Sequence, residues 1–158
     1  MSVLLSGADV IDLAVQTEVR GEAFYRDAAG EADRPEAQDL FWHLADEEIK
    51  HKAIFENLGS KIVFTEVEGP DWQEAMDYIA ATVDNQFFTK DAPIILAPKG
   101  ATTDEMLHQA IAFEKQTLLF FHTLRDLVHA QNRPLIDSII AEERRHVVRL
   151  VQMLGTEE

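Results

Sequence analysis

Apolar residues recur at intervals of three and four along four stretches of this chain, and each stretch has a polar interruption at the same level. In the first stretch the inward series is Ile11, Ala14, Glu18, Gly21, Tyr25 and Ala28. In the second it is Phe41, Leu44, Glu48, His51, Phe55 and Leu58. The third gives Leu107, Ala110, Glu114, Thr117, Phe121 and Leu124, and the fourth Ile136, Ile139, Glu143, His146, Leu150 and Met153. Such spacing is that of one helix face. The punctuation predicts helices over about 8–31, 35–58, 103–131 and 134–154. Ser6 and Asp9 stand in capping-box register before the first, Asp33 and Glu36 before the second, and Thr102 and Glu105 before the third. Gly59 stops the second, Pro134 opens the fourth and Gly155 follows it. At 1.5 Å per residue the helices would be about 32 to 43 Å long.

The first and second helices are joined by a few residues, as are the third and fourth, so each pair reads as an antiparallel hairpin. Between the hairpins, 60–101 has mixed character. Lys61 to Val67 is β-branched and extended in flavour, and Pro70 and Asp71 open a shorter amphipathic stretch with Trp72, Met76, Ile79 and Val83. The expected architecture is one all-α, ferritin-like four-helix bundle. It is made of two repeated hairpins, about 8–59 and 102–155, joined by a long crossover containing a short helix.

The hairpins repeat each other in sequence. Ala14-Val-Gln-Thr-Glu18 matches Ala110-Ile-Ala-Phe-Glu114, and Glu47-Glu48-Ile-Lys-His51 matches Glu142-Glu143-Arg-Arg-His146. The four interrupting glutamates therefore belong to one construction used twice. An ionised carboxylate buried without a partner costs several kcal/mol, on the order of the desolvation penalties of buried ions, and four together would also repel. No lysine or arginine occupies the stripes. Two divalent cations would balance four carboxylates, and oxygen with imidazole suits iron or manganese, while zinc is also accepted. A glutamate from each of two helices plus Glu-x-x-His from each of the other two is the ligand pattern of ferritin-like dinuclear sites. Glu18, Glu48, His51, Glu114, Glu143 and His146 are thus the candidate metal ligands. The small Gly21 and Thr117, one turn beyond two of them, leave room beside the ions. Glu22, Glu47 and Glu142 lie off the stripes and read as solvated. His43, His108, His122 and His129 read as surface or packing residues, and Phe120, Phe121 and Trp42 as core or interface. Trp72 and the Phe87-Phe88 pair read as cover for the bundle or a dimer contact.

Composition narrows the partners. The 158 residues carry 29 acidic and 14 basic side chains, a formal net charge of -15. That argues against nucleic acid or an anionic membrane, both of which need a basic footprint. There is no cysteine, so disulfides and thiolate metal sites are excluded. No apolar run approaches the roughly 20 residues of a membrane span. Met1 to Ala8 has no basic segment before its apolar stretch, and a cytoplasmic location is expected.

The chain resembles the rubrerythrin branch of the ferritin-like superfamily. The resemblance is carried by Ala14-x-x-x-Glu18 with Phe24-Tyr25, Leu44-Ala-Asp-Glu-Glu48-x-x-His51, Glu114 with Phe120-Phe121, and Glu142-Glu143-x-x-His146. It implies two iron ions held by the six candidate ligands and reacting with hydrogen peroxide or dioxygen. It also implies that Tyr25 donates a hydrogen bond to a ligand carboxylate. Two features depart from the family. Without cysteine there is no rubredoxin iron, so electrons would come from a separate donor, a rubredoxin-like protein or a flavoprotein. The family's extra glutamate near the third-helix ligand has no counterpart either, for Ile111 and Thr117 stand at the nearest places. An iron-handling role, by ferrous oxidation and storage or transfer, and a bundle merely stabilised by metal are the rival expectations. A homodimer through an outer face is a natural assembly for such a bundle.

Overall fold

A computed structural model of the chain describes residues 7–59, 74–75, 77–79, 81 and 99–155. Four long helices dominate: α1 (Gly7–Glu31), α2 (Pro35–Leu58), α3 (Thr103–Leu127) and α4 (Arg133–Leu154). A 3-10 turn over Ala130–Asn132 precedes α4. α1 lies along α2 and α3 along α4; across the bundle α1 meets α3 and α2 meets α4. The short α1–α2 and α3–α4 connections make each pair an antiparallel hairpin, the all-α, ferritin-like arrangement expected from the periodicity.

The apolar interior is split into two clusters, one toward each end of the bundle. One gathers the start of α1 (Val10, Ile11, Ala14), the end of α2 (Phe55, Leu58), the end of α3 (Phe121, Leu124) and the start of α4 (Ile136, Ile139). The other gathers the opposite ends, with Phe24, Tyr25, Phe41, Leu44, Met106, Leu107 and Leu150. Each cluster supplies burial at roughly 25 cal/mol per Å² of apolar surface. Between them lies a polar layer, because Glu18, Glu48, Glu114 and Glu143 each sit near the middle of their helix. Antiparallel packing then brings four mid-helix positions to one level.

Local chemistry sets the ends. At α3 the expected capping box is present: Glu105 N–H donates to Thr102 Oγ1 (3.1 Å), and Thr102 N–H donates to Glu105 Oε2 (3.1 Å). At α2 the expectation fails. Arg34 holds the N-cap position without a side-chain cap. Asp33 instead accepts from Thr103 Oγ1 (2.5 Å) at the start of α3. Arg34 Nη2 reaches Asp104 Oδ1 at 3.0 Å, so the α1–α2 turn is tied to the other hairpin. α3 also ends earlier than the expected Gln131. Val128 is extended (φ -82, ψ 153) and fully buried in the core. Burying this β-branched side chain takes precedence over another helical turn.

Some outer readings also change. Phe120 and Phe121 are core residues, but Trp42 is 47% exposed. Of the crossover, Ile79 is described: it is helical and fully buried against the first cluster. Ser6, the Lys61–Val67 stretch, Trp72 and Phe87-Phe88 lie outside the described residues. No helix among the described residues is long and apolar enough to cross a membrane.

Candidate metal centre

All six candidate ligands lie in the polar layer, none more than 3% exposed. They form two overlapping quartets. Glu18, Glu48, His51 and Glu143 make one, and Glu48, Glu114, Glu143 and His146 the other; within each, one ligand atom per residue lies within 4.8 Å of the rest. Glu48 and Glu143 belong to both. Glu18 with His51, from the first hairpin, closes one end, and Glu114 with His146, from the second, closes the other. The sequence repeat becomes an approximate two-fold arrangement in space.

Glu143 is the pivot. Its Oε1 lies 2.9 Å from His51 Nδ1 and its Oε2 lies 2.9 Å from His146 Nδ1. Despite those distances neither Glu143 oxygen has a hydrogen-bond partner, and nor has His51 Nδ1. The atoms are close but out of line for N–H···O bonding, as they are when lone pairs converge on common points. The two imidazoles are nearly parallel, 20° apart with centroids at 5.7 Å. Further unsatisfied buried oxygens are both of Glu18, Oε1 of Glu48 and Oε2 of Glu114. Buried polar atoms in a folded protein are normally paired. So many orphaned acceptors facing one another fit a pair of cations, with two shared carboxylates between them and one carboxylate and one imidazole at each end.

The electrostatics of the metal-free layer agree. Burial, with the charge of Glu143 added, holds Glu18, Glu48 and Glu114 well above the usual carboxylate range. Glu143 goes the other way, to about 2: burial opposes its ionisation, but the facing His146 and His51 outweigh it. Burial depresses the imidazoles, yet Glu143 and its neighbours lift His51 to about 9. Contacts with Glu114, Glu143 and Glu48 raise His146 too. The same burial that favours protons on these carboxylates would favour cations in their place.

Comparison with known families gives a match to the rubrerythrin family model over residues 9–154. The chain belongs to the rubrerythrin family. No curated protein and no solved structure matches it. Membership of the rubrerythrin family, typically a di-iron one, and the buried Glu/His cluster point the same way, to a dinuclear metal site.

Around the rubrerythrin-type layer, three further residues define its shape. The Tyr25 hydroxyl, fully buried, donates to Glu114 Oε1. Gly21 leaves space that Glu48 fills: a Cβ there would come within 3.1 Å of Glu48 Cδ and 3.2 Å of its Oε2. Glu142, expected to be solvated, is half-buried and its Oε2 lies 2.5 Å from His51 Nε2. It can hold the outer nitrogen protonated and so aim Nδ1 inward, the usual relation of a carboxylate to a ligating imidazole. The signal for this was present in the sequence, since a second glutamate precedes the inward one in both repeats (Glu47 and Glu142). Glu47 is half-buried as well, with Lys50 Nζ at 3.0 Å and His43 Nε2 at 3.9 Å. Together with His43, Glu142, Arg145, His146 and Arg149 it lines a cleft of about 190 Å³ that touches the layer at His146.

Proposed function

We propose that the chain is a di-iron protein that reduces hydrogen peroxide, or reacts with dioxygen, using electrons from a separate donor protein. The reading is supported above all by the two quartets sharing Glu48 and Glu143, whose orphaned oxygens call for two cations. Glu18 and His51 would hold one ion, Glu114 and His146 the other, with Glu48 and Glu143 between them. When bound, a ferrous pair supplies two electrons, which with two protons convert hydrogen peroxide to two molecules of water. The protein's own contribution is to keep the layer dry between two apolar clusters and to fix the carboxylates. Glu142 fixes the His51 ring, and Tyr25 fixes Glu114 on the opposite ion. With no cysteine in the chain, reducing equivalents come from outside, from a rubredoxin-like protein or a flavoprotein.

Metal analysis after anaerobic purification, followed by optical titration with peroxide, tests this reading. About two irons per chain are expected, with ferric charge-transfer absorption appearing at one peroxide per pair. Glu143→Ala should lose both. One metal ion per chain, or two with no response to either peroxide or dioxygen, would rule the reading out.

Iron handling is the second reading, and the Glu47, His51 and Glu142 group favours it. Their ligand atoms also lie within 4.8 Å of one another, at partly exposed carboxylates outside the inner layer. Ferrous oxidation continuing well past two ions per chain, without a reductant, would select that reading over peroxide turnover.

A further inference from the structure

The approximate two-fold symmetry of the polar layer is broken at one inward position, where Gly21 of the first hairpin is matched by Thr117 of the second. Thr117 lies one turn beyond Glu114 on the inward stripe of α3 and is 1% exposed. A buried helical threonine ordinarily satisfies its hydroxyl by bonding back to the carbonyl four residues earlier. Thr17 does so with Leu13 O at 2.8 Å, and the exposed Thr123 does so with Leu119 O at 3.0 Å. Thr117 does not: its Oγ1 is buried and has no partner. Leaving a buried hydroxyl unpaired is unfavourable. It persists here in a layer otherwise filled by candidate metal ligands.

The repeat also indicates what the hydroxyl faces. Gly21 stands against the Glu48 carboxylate, and the repeat pairs Gly21 with Thr117 and Glu48 with Glu143, the carboxylate between both imidazoles. Glu143 does not take the hydroxyl's proton, for both its oxygens are themselves unpaired. A donor is therefore held in the dry interior on the side of the layer closed by Glu114 and His146. A small hydrogen-bond acceptor would complete it.

We propose that Thr117 is a positioning residue whose hydroxyl hydrogen-bonds a small anionic or oxygen-bearing ligand entering the dinuclear centre on its α3 side. This rests on the dinuclear reading above and adds to it the place and orientation of the exogenous ligand. Gly21 offers no such donor, so the two halves of the centre are unequal toward that ligand although their metal ligands match.

Azide, a small anion with optical signatures on ferric centres, is the probe. Wild type, Thr117→Val and Thr117→Ser are loaded with iron, and metal content is measured before azide titration. All three should hold two irons. Valine, of nearly the same shape, should weaken azide binding about five- to tenfold, the loss of one hydrogen bond, and serine should restore it. In the metal-free protein the same valine removes an unpaired buried hydroxyl, so its melting temperature should rise by about 2 to 4 °C. Opposite signs in the two measurements are what a purely structural role would not give. Equal azide affinity in valine and wild type, both holding two irons, would overturn the Thr117 proposal and leave the dinuclear centre standing. A wild type that takes up no metal pair would overturn both.

Discussion

Tyr25 on α1 and Glu114 on α3 are joined across the bundle, with the phenol donating to the carboxylate Oε1. The phenol ring is fixed by its own neighbours: Phe41 stacks on it at 6.1 Å and 25°, and Phe24 meets it edge-on at 5.5 Å. Tyr25→Phe keeps the packing and deletes one buried hydrogen bond. We expect metal-free stability to fall by about 1 kcal/mol, with the two-metal stoichiometry retained but the affinity lowered. Denaturant unfolding with a chelator present, and metal competition titration, check the two parts. Unchanged affinity would show that Glu114 needs no help from the phenol.

Glu142 and His51 form the corresponding contact at the other end of the layer, from α4 to α2. Glu142→Gln leaves the size of the side chain but removes its charge and the acceptor strength that orients the imidazole. Loss of such an outer carboxylate typically lowers metal affinity about 10- to 100-fold. The loss should fall on the ion held by Glu18 and His51, so stepwise titration should show one site weakened and the other intact. Equal weakening of both would contradict the division into two ends.

Much of this layer was legible in the sequence because its cause is periodic. A carboxylate on an apolar stripe has no escape to solvent, so Glu18, Glu48, Glu114 and Glu143 announce a buried layer before any coordinates are known. The repeat supplied the level, and the Glu-x-x-His spacing placed both imidazoles. What stayed hidden depends on contacts distant in sequence. Glu142 looked solvated because helix phase places it off the stripe. It is half-buried because α2 lies alongside α4 and brings His51 to it. Asp33 looked like a cap for α2 but is claimed by Thr103, 70 residues away. The early end of α3 likewise follows from burial of Val128 in the far cluster, which local propensity does not encode.

Gly21→Ala separates stability from site geometry. Alanine in place of glycine inside a helix is worth about 1 kcal/mol. Its Cβ would sit 3.1 to 3.2 Å from the Glu48 carboxylate, the mobile end of a side chain, so Glu48 must give way by a fraction of an ångström. The metal-free variant should be as stable as wild type or more so, while metal affinity drops because a shared carboxylate has moved. Calorimetric melting with and without metal measures both. A variant improved in both states would mean that Glu48 does not need the space Gly21 leaves.

Stability of the metal-free protein should fall as pH rises from mildly acid to alkaline. Folded Glu18, Glu48 and Glu114 retain protons that the unfolded chain releases above 4.5, so their contribution is full below that value and declines above it. The imidazoles act with the same sign: their contribution is complete below 6.5 and, for His51, lost as pH rises through about 9. Glu143 opposes them, but with a value near 2 against an ordinary 4.5 it acts only in acid, where its contribution is lost as pH falls. Melting temperatures taken with a chelator from pH 5.5 to 9 should therefore decrease, in about 0.3 M salt to screen general repulsion among surface charges. Metal competes with those same protons, so its binding should strengthen over that range and release protons as it occurs. A chelated protein that grows steadily more stable toward pH 9, or metal uptake without proton release, would mean that the layer does not store protons in place of cations.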